Sequence, residues 1–298
     1  MELKEKLISM KEAASLVSDG DRLAIGGCAI HAHPMAFLRE LVRQKKKDLT
    51  VVGSLNGLDV DLLAGAGMLK KVETSYVGLE RYGLAKNFRR GVEQGEFQMV
   101  DYSDYLAFNR FHASLEKLSF WPCSYLGGSD ILAKNPDIKE FNCPLTGKKY
   151  YAVPPADPDV AIIHAAAADV YGNVLMPQKR LVPQGVDVLM ARSCDKVIVT
   201  VERIVSNDLI RRHNDLCFIP KYRVTAVVHA PYGAHPCSMP QFYNVDEGHF
   251  QEYVDASSDK ENFSKYLDAY VTGVEDQEEY LEKVGVKKLL SLDLPTFI

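Results

Sequence analysis

Residues 19–34 read DGDRLAIGGCAIHAHP. A polar turn of Asp19, Gly20 and Asp21 runs into the apolar residues Leu23, Ala24 and Ile25, which predict a strand. Gly26 and Gly27 follow, then a loop with His31 and His33, then Pro34, a residue suited to opening a helix. Strand, glycine loop and helix together make a ligand-holding arrangement. The glycines let a ligand approach backbone N–H groups, and the helix start adds partial positive charge. The stretch is therefore a candidate cradle for an oxyanion or a phosphate.

Upstream, Ser9 with Glu12 three residues later matches a capping box and predicts an opening helix over MKEAASLV. Downstream, PMAFLRELVRQ has apolar residues at helical spacing, DLTVVG reads as a second strand, and SLNGLD is a loop before a short helix, VDLLAGAG. Alternation continues with KKVETSYVG (strand), ERYGLA (loop), KNFRRGVEQG (helix stopped by Gly95), FQMV (strand) and YSDYLAFNRFHASLEKL (helix). LSFWPCSYLGGSD predicts a further strand entering a second glycine loop. Residues 131–158 hold five prolines without a clear period and predict a surface excursion. Further core strands are expected at 160–164, 196–201 and 224–230, and residues 241–298 as a helical C-terminal cap built on FSKYLDAYV, DQEEYLEKVG and VKKLLSL. Strands separated by short helices imply a single α/β domain over 1–298, an open, mostly parallel sheet with helices on both faces and a helical tail.

Ligands of such a sheet bind beyond the carboxyl ends of its strands. The expected exits are 26–33, 53–59, 78–83, 103–104, 127–130 and 165–173. They place Gly26, Gly27, Cys28, His31, His33, Asn56, Gly57, Glu80, Asp104, Gly127, Gly128 and Ser129 on one edge. Glu80 either points into the cleft or pairs with Arg81 in solvent. Asp104, or Ser103 beside it, reads first as a helix N-cap. Cys28 at a helix start is either a thiol nucleophile or, by preference, a small hydrophobe.

The composition, 47% hydrophobic and 25% charged with a formal charge of -5, is that of an ordinary globular protein and gives no electrostatic case for nucleic acid. No apolar h-region precedes a cleavage site and no apolar run approaches the ~18 residues needed to span a bilayer, which predicts a cytoplasmic protein away from membranes. The six cysteines are scattered, without C-x-x-C, arguing against zinc and a disulfide framework. His31 and His33 form H-x-H, but the glycine pair and Pro34 place them on a loop, and His164 and His229, near later strand ends, have no metal-ligand spacing with a carboxylate, so no metal is expected. G-x-S-x-G, G-x-G-x-x-G and G-K-[ST] are missing, which weakens serine-hydrolase, dinucleotide and NTPase readings.

The opening stretch also resembles the signature of family I coenzyme A transferase α subunits: an acidic-glycine turn, three apolar residues, Gly-Gly-aromatic, and proline seven residues after the second glycine. NFRRGVEQG, LSFWP leading to LGGS, DVAIIHAAAADVYGNV, VIVTVERIVS and VVHAPYGAHP follow in family order over residues 11–243, most similar to the glutaconate CoA-transferase type. The resemblance implies the open CoA-transferase sheet and a heteromer with a β subunit, whether heterodimer, heterotetramer or larger. The β subunit would carry the nucleophilic glutamate in a Ser-Glu-Asn-Gly type motif. It implies no permanent cofactor, with the coenzyme A thioester and a carboxylic acid as substrates. It assigns the N–H groups of Gly26, Gly27 and Cys28 to an oxyanion hole or the CoA acyl end, and Asn56, Gly57, Gly127, Gly128 and Ser129, with His31 and His33, to the acyl or pantetheine path. Two departures stand out. The family aromatic is Cys28 here, and Ala32 and His33 replace Arg-Lys, so a dicarboxylate lacks its cation unless His33 is charged. Ring-opening thioester hydrolysis or decarboxylation on the same scaffold is an alternative, in which Glu80 would be the in-chain acid or base. A non-catalytic ligand-binding or regulatory chain is another.

Overall fold

The computed structural model describes residues 4–126, 128–178 and 185–295. Its strands are β1 Arg22–Ile25, β2 Leu49–Val52, β3 Leu55–Asn56, β4 Leu69–Thr74, β5 Tyr76–Val77, β6 Gln98–Asp101, β7 Trp121–Cys123, β8 Lys139–Asn142, β9 Lys149–Val153, β10 Val160–Ala168, β11 Val174–Leu175, β12 Lys196–Ile204 and β13 Ala226–His229. Its helices are α1 Met10–Ser15, α2 Met35–Arg43, α3 Leu58–Gly65, α4 Lys86–Gln94, α5 Asp104–Leu115, α6 Ile131–Lys134, α7 Gly185–Ser193, α8 Asn207–Arg212, α9 Glu247–Ala256, α10 Lys260–Leu267, α11 Gln277–Val284 and α12 Val286–Leu292.

The main sheet runs β13-β12-β10-β1-β2-β4-β6, every neighbour parallel, with β11 added antiparallel to β10. Period-two alternation assigns its two faces. Leu23, Ile25, Val51 and Ile162 pack with α1, α2, α3 and the C-terminal helices, whereas Ala24, Val52, Ala161 and Ile163 pack with α5 and α7. From β1 the chain winds outward through β2, β4 and β6, and from β10 it winds the other way through β12 and β13. The order therefore reverses between β1 and β10, and Gly26 leaves β1 at that switch point.

The expected capping box at Ser9 and Glu12 is present, and Gly95 ends α4 with φ 69°. Other expectations change. The helix after the second strand starts at Leu58, two residues earlier than the apolar run suggested, because Asp59 turns back onto the Gly57 N–H. β7 lies outside the main sheet: it pairs antiparallel with β9, which pairs with β8. Residues 131–158, expected as a surface excursion, hold α6 and two strands of a small three-stranded sheet. Helices α7 and α8 answer to no expected element, whereas α9 falls within the expected helical cap at 241–298, ahead of the segments it was built on.

Candidate active site

The turn after β1 closes on itself. The Gly26 N–H donates to Ile162 O at 2.9 Å, the Gly27 N–H to Asp187 Oδ1 at 3.0 Å and the Cys28 N–H to His31 O at 2.8 Å. All three amides expected to serve as oxyanion donors are therefore already bonded within the chain. That assignment is corrected by two features invisible to local pattern: the loop's own fold-back and the insertion of Asp187 from α7. The glycines are still required. A Cβ on Gly26 would lie 2.9 Å from Ile163 Cδ1, and Gly27, at φ +100°, would place one 2.6 Å from His33 Nδ1.

The two histidines turn to different partners. His33 is fully buried, with Nδ1 2.8 Å from Gly26 O and Nε2 3.1 Å from Ala29 O. His31 is partly exposed, with Nδ1 2.5 Å from Ser238 Oγ. Burial, and next the charge of His33, holds the His31 imidazolium below its usual range. Ser238 also clamps the turn through its backbone, accepting from the Ala32 N–H at 2.7 Å and donating to Ile30 O at 3.1 Å. Ala29 and Ala32 occupy left-handed backbone at φ 52° and 56°, strain of a kind that collects at functional sites. Burial first, then the Asp187 and Glu80 carboxylates, pushes the Cys28 thiol up to about 11, so Cys28 is no thiolate nucleophile. Asp187 is itself fully buried, its carboxyl raised to about 7 by burial against the one Gly27 bond, with Oδ2 unpartnered.

A cleft of about 1190 Å³ opens beside the turn, lined by Cys28 and His31, by Glu80 and Arg81, and by Asp246 and Lys288 of the C-terminal helices. Glu80, at φ 51°, accepts a 3.3 Å bond from the Tyr76 hydroxyl, while Arg81 pairs with Glu247 at 2.5 Å. Of its two readings, Glu80 thus takes the cleft. Lys288 is held at 3.0 Å by Asp246, a buried carboxylate that also faces His235 Nε2 at 3.0 Å and caps α9 through the His249 N–H. Ser238, Asp187 and Lys288 escaped sequence reasoning. The single available signal was Asp246 followed by Glu247, the cap and first turn of a helix.

The remaining expected residues lie elsewhere. Asn56 and Gly57 are buried beneath the turn: Asn56 Nδ2 and the Gly57 N–H each donate to Asp59 at 2.6 Å, and a Cβ on Gly57 would meet Ala29 O at 2.1 Å. They support the turn and do not line the cleft. Ser103 caps α5, accepting from the Leu106 N–H, and Asp104 instead accepts a 2.5 Å bond from the Ser54 hydroxyl. Gly128 and exposed Ser129 follow β7 at the small sheet, apart from the cleft; Gly127 lies outside the described residues. Among the described residues there is no cluster of three or more His, Cys, Asp or Glu placed to hold a metal, and no helix long and apolar enough to cross a membrane.

The family model described as Coenzyme A transferase matches residues 7–230. This chain belongs to the coenzyme A transferase family. It is 36% identical over 287 residues to a 3-oxoadipate CoA-transferase subunit from Pseudomonas knackmussii, covering 95% of this chain and 99% of that one. A glutaconate CoA-transferase subunit from Acidaminococcus fermentans is 34% identical, covering 96% of this chain and 94% of its own. The crystal structure of glutaconate coenzyme A-transferase from that organism superposes with TM-score 0.92 at 32% identity, over 97% of this chain and 96% of that one. An uncharacterized Archaeoglobus fulgidus protein is 38% identical over 97% of this chain, which spans 64% of its length. The open, mostly parallel sheet and the helical C-terminal region are shared with that glutaconate CoA-transferase structure.

Proposed function

We propose that the chain is the α subunit of a heteromeric CoA-transferase, moving CoA between an acyl-CoA and a carboxylic acid by way of a glutamyl-CoA thioester on a partner β subunit. The observation that supports this most is a large cleft at the switch point in which the chain offers no activated nucleophile. Cys28 is pushed far from thiolate, and Glu80 sits exposed on a strained turn. The relatives named as CoA-transferase subunits agree with an enzyme built from more than one chain.

In the reaction the partner carboxylate forms a C–O bond to the thioester carbonyl, the C–S bond breaks, and CoA leaves as thiolate. The thiolate then attacks the glutamyl carbonyl of the anhydride, releasing the first acid, and the second acid reverses these steps. Each tetrahedral stage carries an oxyanion that needs donors. The Gly26, Gly27 and Cys28 amides are occupied, so this chain's contribution is a rigid wall and two cations, Arg81 and Lys288, held by carboxylates.

The test is turnover of the co-purified complex with an acyl-CoA and an acceptor acid. Glu80→Gln is expected to keep kcat within about threefold. A loss on the order of 1,000-fold, with the unsubstituted complex releasing free CoA (hydrolysis) or CO2 (decarboxylation) irrespective of acceptor, would reassign the chain to the hydrolytic or decarboxylating reading, with Glu80 as its acid or base.

A further inference from the structure

The ring of His33 has no acceptor role to play. Both nitrogens face backbone carbonyls, Gly26 O at 2.8 Å and Ala29 O at 3.1 Å, and a carbonyl only accepts. A neutral imidazole carries one N–H and one lone pair, so one contact would set lone pair against lone pair in a fully buried site; only the doubly protonated ring donates twice. The neighbouring carboxylate gives the same answer independently. Asp59 is also fully buried, its Oδ1 takes the Gly57 N–H and its Oδ2 takes Asn56 Nδ2, both at 2.6 Å. With N–H donors on both oxygens it is arranged as an anion, and a buried anion needs a counter-ion. His33 Nε2 stands 3.6 Å from Asp59 Oδ1.

We propose that His33 is a buried imidazolium, paired with Asp59, that splints the glycine turn from beneath and acts as a positioning residue. The peptide plane fixes what the splint does. With Gly26 O held by His33, the Gly27 N–H of the same peptide must point the opposite way, and there it meets Asp187. With Ala29 O held, the Ile30 N–H is likewise turned away from the ring. One cation thus sets two peptides of a turn that carries left-handed Ala29 and Ala32. The other ionisable groups that feel the pair are His31 on the same turn, Cys28, whose thiol feels Asp59, and Cys237, whose buried thiol feels Asp59 and, from α2, Arg39. The charge is consumed inside the turn, so it is not the cation of a substrate carboxylate.

The charge state stands without the transferase reading; only the activity arm below rests on it. In the full chain labelled with 15N-histidine, the resonances of His33, assigned by through-space contact to the Gly26 and Gly27 backbone, are expected to show protons on both Nδ1 and Nε2 at pH 7. A single protonated nitrogen there overturns the proposal. In the complex, Asp59→Asn is expected to remove one ring proton at pH 7 and lower kcat/KM about tenfold. A variant that keeps both protons, or that loses one while keeping full activity, contradicts the counter-ion or the positioning role respectively. The spectrum of the unmodified chain decides the charge state even if that variant does not fold.

Discussion

Two glycine turns in this chain look alike in sequence and end differently. The first, Gly26-Gly27-Cys28, leaves a central parallel strand and is held from several directions: by Asp187 on α7, by Ser238 and by the His33 and Asp59 pair beneath. The second contains Gly128 and Ser129 and follows a strand of the small antiparallel sheet. A Cβ on Gly128 would touch nothing within 4 Å, and among the described residues Ser129 Oγ makes one 3.4 Å bond, to Leu126 O. A glycine pair after a strand becomes a site wall only where the strand's partners bring distant side chains to it.

The joint between these regions should give the largest effect. Glu73 on β4 accepts from Arg110 of α5 at 2.6 Å and from Arg22 at 3.0 Å, and pairs with Lys71 at 2.9 Å, while Arg110 reaches the carbonyls of Pro154 and Pro155 at the foot of the small sheet. Glu73→Ala, measured by urea denaturation, is expected to cost about 3–5 kcal/mol, since it strands buried Arg110. Burial opposes ionisation of Glu73, but the Arg22 hydrogen bond, the Arg110 charge and the Lys71 hydrogen bond outweigh it and hold the carboxyl down at about 2. A depressed acid stabilises above its unfolded value, so this contribution should fade as pH falls from about 4.5 toward 2.

Comparing the turns directly, Gly27→Ala should lose about 3 kcal/mol or more, from a left-handed backbone and a clash with His33. Gly128→Ala, at φ +88° in open space, should lose only about 1–2 kcal/mol. Equal losses would remove the contrast. Asp187→Asn sharpens it by pH. Because burial raises this acid to about 7, the folded state loses stability as pH rises from about 4 through 7. The amide keeps the Gly27 bond without that loss, so the difference between variant and parent should move in the variant's favour by about 4 kcal/mol between pH 4 and pH 8. A flat difference would mean that Asp187 does not titrate there. Ser129→Ala should change stability by less than about 0.5 kcal/mol.

What was legible in the sequence was what local pattern encodes. Leu23, Ala24 and Ile25 alternate between two cores, Gly95 stops α4, and Ser9 with Glu12 opens α1. The ordered motifs gave the family. Strand partners were not legible: the run at β7 reads as a strand, but nothing local says that it pairs with β9 rather than with the main sheet. The site suffered most from this, because the partners of Gly27 and His31 lie 160 and 207 residues away. The Gly26 to Cys28 amides therefore read as free donors when the fold had already engaged them. Glu80 in the cleft was among the open readings, because its position after an apolar strand is itself a local signal.

The central claim, that this chain builds the wall of a site whose nucleophile belongs to the partner, is tested most directly by trapping. The co-purified complex is incubated with an acyl-CoA, reduced with borohydride and mapped by peptide mass spectrometry. Conversion of a single glutamate on the partner subunit to its alcohol, with Glu80 and every other carboxylate of this chain untouched, is the predicted result. Reduction at Glu80, or an active complex in which nothing is trapped, would contradict it.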